Sequence, residues 1–161
     1  MISVIDQDSN ASLALNVAIA VFLCLVINSI IFGFGWDGGD DTINIWFAPP
    51  GYVVGTVWVI LFGLIGASRY ALNRAGKPAS RTKTLLGALL LFCLAYPIYT
   101  LGFNSEFIGF LGNIATILFT IFAMWRVWKF SRAAAALLFP IVLWVSFATV
   151  LVLAELRWIN I

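Results

Sequence analysis

Ile19-Ala20-Val21-Phe22-Leu23-Cys24-Leu25-Val26-Ile27 is a run of nine apolar residues with no polar residue at every second place. A barrel strand alternates between lipid and lumen with period two over about ten residues, so this run does not fit one. A helix rising about 1.5 Å per residue crosses about 30 Å of hydrocarbon with about 20 residues. Working outward, the first charges met are Asp8 and Asp37, with 28 uncharged residues between them. Asp41 to Arg69 encloses 27, Lys83 to Glu106 encloses 22, Glu106 to Arg126 encloses 19 and Arg132 to Glu155 encloses 22. Each interval is long enough, which predicts transmembrane helices over Leu13–Phe32, Gly51–Leu72, Thr84–Gly102, Phe107–Val127 and Ala133–Leu156. The expected fold class is all-α: an integral membrane bundle of five transmembrane helices, one domain over residues 1–161, with a long first loop acting as a lid.

Composition agrees. Hydrophobic residues make up 63% of the chain and charged residues 10%, against roughly 45–50% and about 25% in soluble domains. That excludes a cytosolic globular enzyme, a disordered regulator and a secreted disulfide scaffold. A net charge of +2 without a basic tail gives no reason to expect a nucleic-acid partner. The absence of histidine removes the commonest metal ligand, general base and axial haem ligand. Cys24 and Cys93 lie in apolar runs and read as lipid- or core-facing filler.

The first predicted helix is not a cleaved signal peptide, since no basic residue precedes it and its apolar run is too long. Ser9 or Ser12 is its expected N-cap. Orientation follows from Lys and Arg. Arg69, Arg74, Lys77, Arg81, Lys83, Arg126, Lys129 and Arg132 fall on the side of the N-terminus, and only Arg157 falls on the other. By the positive-inside rule the N-terminus is cytoplasmic and the C-terminus outside, in what reads as a bacterial cell membrane.

Three connections are short and make sequential helices antiparallel neighbours. The first, Gly33 to Pro50, is long and carries Trp36, Trp46 and Phe47. Two readings fit it, a lid or a solvated linker with interfacial aromatic anchors. Within it Asp37-Gly38-Gly39-Asp40-Asp41 lacks the alternating oxygen ligands of a calcium loop and reads as a solvated turn, so no metal site is expected. No internal repeat is present.

Little inside the spans is ionisable. Arg69 can snorkel to the interface, and Glu155 reads as a surface residue, so no buried carboxylate pair is expected. The neutral polar residues Asn16, Asn28, Ser29, Thr56, Asn113, Thr116, Thr120, Ser146 and Thr149 are expected to be mostly interhelical glue. Pro97 and Pro140 should kink the third and fifth helices. Gly51 and Gly55 permit a close helix approach, inside the bundle or at a dimer face, the former being the preferred reading. The aromatic residues are more informative, at 16% of the chain. Trp58 and Trp144 fall mid-span, where a Trp either packs with its N–H satisfied or lines a cavity. With no charge nearby, such a cavity suits a flat, largely apolar ligand.

The stretch from Trp46-Phe47-Ala48-Pro49-Pro50-Gly51-Tyr52 through Gly55 and Trp58 to Gly66 resembles the start of the second helix in the translocator protein family, also called the tryptophan-rich sensory proteins (TspO/MBR) or peripheral benzodiazepine receptors. The family pattern is aromatic-x-Pro-Pro-x-aromatic, then Gly, then Trp three residues on. Ser131-Arg132-Ala133-Ala134, followed by Leu137-Leu138-Phe139-Pro140-Ile141-Val142-Leu143-Trp144-Val145-Ser146-Phe147-Ala148-Thr149, is similar to its fifth helix. Ile141 stands where the family usually has Tyr, and Leu151-Val152 where it has Leu-Asn. Tyr96 and Tyr99 align with the Asn and Trp of its third helix. A weak aliphatic–Tyr–basic pattern at Leu64, Tyr70 and Arg74 carries no sterol expectation.

The resemblance implies a receptor or sensor that binds tetrapyrroles, protoporphyrin-like, and other flat hydrophobic ligands between the helices. The ligand-binding residues carried over are Trp58, Phe62, Tyr96, Tyr99, Trp144, Phe147 and Ala148, with Trp36, Trp46 and Phe47 in the lid. No catalytic residue and no obligatory cofactor are expected; porphyrin is a ligand, metal-free in the absence of histidine. The resemblance also implies a homodimer, as in many family members, and light-dependent porphyrin degradation as in some bacterial ones. The chain supplies no acid–base or nucleophilic constellation for an ordinary enzyme. Two alternatives stay open: a transporter of a small apolar metabolite, and a structural membrane subunit whose aromatics only pack.

Overall fold

A computed structural model describes residues 4–35, 45–75, 80–100 and 105–159, without the side chains of Arg74, Ile98, Tyr99 and Thr100. The helices are α1 (Asn10–Gly33), α2 (Gly51–Ala71), α3 (Ser80–Thr100), α4 (Glu106–Trp128), α5 (Arg132–Ala136) and α6 (Phe139–Glu155), with short 3-10 turns at Val4–Asp6 and Asn73–Ala75. Among the described residues there is no strand. Ser9, Ser105 and Ser131 cap α1, α4 and α5 by accepting from Ser12 N, Ile108 N and Ala134 N. Each satisfies a backbone donor that the first helical turn leaves unpaired.

Four segments are long and apolar enough to cross a membrane: Asn10–Gly33, Gly51–Ala71, Glu106–Trp128 and Arg132–Glu155. Where the third span was expected there is a helix, α3, but it is not among these four; its first turn, Ser80-Arg81-Thr82-Lys83, makes it less apolar. The outward faces carry exposed Phe22, Ile60, Leu91, Leu118 and Leu143, while Asn113, Thr116, Thr120 and Thr149 are buried. So many large apolar side chains facing outward depart from the soluble pattern and fit an integral membrane protein.

The fifth span departs from expectation. It is two helices, not one kinked helix, with Leu137 and Leu138 in a turn between α5 and α6. Pro140 sits in the first turn of α6. It has no N–H to give the carbonyl of Ala136, so the α-ladder stops, and Leu138 N donates to Ala135 O at 3.1 Å instead. α3, by contrast, runs through Pro97.

The polar residues inside the spans are a second correction, because most bond to their own helix. Thr116 donates to Gly112 O, Thr120 to Thr116 O, Thr149 to Val145 O, Thr56 to Tyr52 O and Ser29 to Leu25 O. Such i−4 back-bonds satisfy a hydroxyl locally in hydrocarbon. Among the described residues these in-span groups make few ties between helices: Asn28 Nδ2 to Gly55 O at 3.3 Å, Ser68 Oγ to Ala134 O at 2.8 Å and Asn16 Oδ1 accepting from Arg69. The first confirms that Gly55 serves a contact inside the bundle.

At the end of the bundle holding the N-terminus, Arg69 reaches Asn16 Oδ1 at 2.6 Å and Asp6 at 3.1 Å. Lys83 meets the same Asp6 oxygen at 3.4 Å. Asn73 donates to Ile5 O and Gln7 O, clamping the N-terminal turn onto α1 and α2. Nearby Trp125 stacks under Lys129 at 4.1 Å, and Arg132 lies over Trp128 at 5.7 Å. Such pairs suit the headgroup layer, where one ring face is wet.

Candidate functional site

α1, α3 and α6 bring their C-terminal halves to the end of the bundle where α2 and α4 begin. There the five helices enclose a cavity of about 320 Å³. Its walls are Cys24, Ile27, Asn28, Ile31 and Phe32 from α1; Val54, Gly55, Trp58 and Phe62 from α2; Cys93, Leu94, Tyr96 and Pro97 from α3; Gly109 and Asn113 from α4; and Trp144, Ala148, Leu151 and Val152 from α6. Pro49 and Gly51, Ser105 and Glu106, and Glu155 line it at the mouth.

Helix periodicity explains the set. Gly51, Gly55, Trp58 and Phe62 recur every three or four residues on α2, as do Trp144, Ala148, Leu151 and Glu155 on α6, with Val152 beside Leu151. Each series keeps to one stripe of its helix. Trp58 lies 5.9 Å from Phe62 and 6.5 Å from Tyr96, ring centre to ring centre. Pro97 leaves the Cys93 carbonyl without its helical donor, and both residues line the cavity. Cys24 and Cys93 are buried free thiols, core-facing rather than lipid-facing.

Of the expected site residues, Trp58, Phe62, Tyr96, Trp144 and Ala148 come together around this cavity. Phe147 does not line it. It packs 5.6 Å from Trp144 and lines an outer groove between α2 and α6 with Val57, Ile60 and Leu143. The reason is angular: Phe147 is one residue, about 100°, round α6 from Ala148. Trp46 is 85% exposed and meets Phe47 edge to face at 5.4 Å. Phe47 rests 6.4 Å from Phe147. Neither Trp46 nor Phe47 lines the cavity, although Pro49 beside them does. Trp36 and the Asp37–Asp41 turn lie outside the described residues, as does the side chain of Tyr99.

Sequence reasoning missed the polar part of the wall. Glu106, exposed at the start of α4, and Glu155, half-buried at the end of α6, belong to separate elements, yet both line the mouth of this one cavity. The cavity therefore does carry acidic groups. Glu106, Gly109 and Asn113 share one face of α4, and a Cβ on Gly109 would stand 3.9 Å from the Tyr96 hydroxyl. Asn113 is 2% exposed and its Nδ2 has no hydrogen-bond partner. The spacing of Glu106 and Asn113, two turns apart on α4, was the available signal. Among the described residues no Lys or Arg lines the cavity.

Among the described residues no group of three or more His, Cys, Asp or Glu side chains is arranged to hold a metal ion. What the cavity can do is hold an apolar, ring-bearing guest against Trp, Phe and Tyr faces. Comparison with family models gives a match to the TspO/MBR family over residues 20–158, most of the chain. No curated protein matches it. The chain belongs to the TspO/MBR family.

Proposed function

We propose that this member of the TspO/MBR family is a receptor or sensor that binds planar hydrophobic ligands, tetrapyrroles among them, in the cavity beneath the first loop. The observation that carries the reading is the convergence of Trp58 and Trp144, from α2 and α6, on one cavity with Tyr96 and Phe62. A cavity of about 320 Å³ is at the low end of the roughly 300–1,000 Å³ of small-molecule sites. A tetrapyrrole would insert one part of its ring and leave the rest at the mouth, against Pro49 and the loop that follows α1. Trp36, Trp46 and Phe47 would close over that protruding part, and Tyr99 and Phe147 would act from its margin.

The reading includes five membrane crossings. α3 has 21 residues, about 31 Å of helix, with Arg81 and Lys83 confined to its first turn. An odd number of crossings puts the termini on opposite sides, with the Lys- and Arg-rich end cytoplasmic.

The experiment is a protoporphyrin titration of the purified full chain in nanodiscs, read by Trp fluorescence. Saturable quenching is expected, and Trp144→Phe should weaken binding by roughly 2- to 10-fold. A linear, non-saturating response would discard the reading.

A further inference from the structure

The cavity has one polar sector, and its composition is one-sided. Glu106 and Glu155 both line the mouth, and among the described residues no Lys or Arg lines the wall to neutralise them. Two carboxylates brought to one cavity mouth repel, and a cation between them relieves that repulsion. Glu155 is also the last residue of α6, where the helix dipole presents its negative end. The two ion pairs formed by Asp6 with Arg69 and Lys83 are at the opposite end of the bundle. Arg157 follows Glu155 but in a left-handed turn, φ 56°, and contributes nothing to the cavity wall.

A second observation is independent of the acids. Asn113 is two turns deeper on the same face of α4, about 10 Å along the helix. It is 2% exposed and lines the cavity, and its Nδ2 donor is unpartnered. A buried donor left unmade costs on the order of 1–3 kcal/mol, so an acceptor on a guest is the natural occupant. The wall between these two polar points is aromatic and aliphatic.

Resting on the reading of this cavity as a ligand site, we propose that it selects aromatic guests bearing a protonated amine, held between Glu106 and Glu155, with an acceptor atom reaching Asn113. Anionic guests are disfavoured at the mouth. A carboxylate-bearing tetrapyrrole enters with its carboxylates turned away from the acid pair.

The test uses the full chain in phosphatidylcholine nanodiscs and three probes sharing one aromatic body: 1-pyrenemethylammonium, 1-methylpyrene and 1-pyrenecarboxylate. Energy transfer from Trp reads binding. The ammonium probe should bind at least about fivefold tighter than the carboxylate. Glu106→Gln and Glu155→Gln should each shrink that ratio, while neutral 1-methylpyrene, measured in the same samples, reports whether the cavity is intact. Asn113→Leu should weaken an aminomethyl-anthraquinone, whose carbonyls accept, more than the pyrene amine. Equal affinities of wild type for cationic and anionic probes overturn the proposal and leave the ligand-site reading standing. So does a ratio unchanged in both Gln variants with 1-methylpyrene still bound. Failure of every probe to bind saturably overturns both.

Discussion

Gly66 is the residue on which the α1–α2 contact turns. A Cβ placed there would stand 2.5 Å from the backbone oxygen of Asn16 and 2.9 Å from Val17 Cα. Backbone cannot swing aside as a side chain can, so Gly66→Ala is expected to destabilise by about 1–3 kcal/mol. Gly87, mid-α3, has nothing within 4 Å of the same point. Gly87→Ala should be neutral or stabilising by up to about 1 kcal/mol, since only helix propensity changes. Unfolding of the two variants in one detergent checks the contrast; equal effects would remove the close-approach argument. Arg157 is the converse case, a left-handed residue with a side chain. Its N–H donates to Ala154 O and that of Trp158 to Leu153 O, the two bonds of a Schellman cap. Glycine suits that place better, and Arg157→Gly is expected to stabilise by about 1 kcal/mol in the same assay.

Between elements, a small number of polar ties fixes how the helices meet. Ser68 Oγ, fully buried, donates to Ala134 O and holds α2 to the short α5. Ser68→Ala removes the donor and should cost about 1 kcal/mol, seen as a lower unfolding midpoint without loss of helix by circular dichroism. A variant as stable as wild type would show that packing alone makes this junction. The break before α6 follows from Pro140, whose place in the sequence announces a defect in the ladder but not its form. A kink and a two-helix junction both answer a missing N–H. The choice depends on what the freed turn packs against, here a completely buried Leu138.

For the molecule as a whole, receptor and transporter are separated by flux. Binding of protoporphyrin without its movement into proteoliposomes is the expected outcome, and net uptake would favour a transporter. Sidedness is checked with Gln7→Cys and Ile159→Cys and a membrane-impermeant thiol reagent. Cys24 and Cys93 are buried, so the background is low, and each new thiol should label from one side only, the two sides being opposite. The all-helical class, the approximate ends of α1 to α4 and the membrane setting were legible in the chain, because each depends on local hydropathy and on the cost of placing charge in hydrocarbon; the division of the last segment into two helices was not. So were Trp58 and Trp144, whose mid-span positions are anomalous by themselves, and the family, through the aromatic–proline start of α2. The polar mouth was not legible. Glu106 begins one helix and Glu155 ends another 49 positions later, and nothing local says that those two ends are neighbours. Nor does local sequence say that Phe147 faces outward while Ala148 faces in, or that a buried, unpartnered Asn113 belongs to the cavity lining. Hydropathy acts on each segment separately, so one strand of text suffices to set it; which side chains share a cavity depends on how the helices rotate and cross, and that is settled only by all of them packing at once.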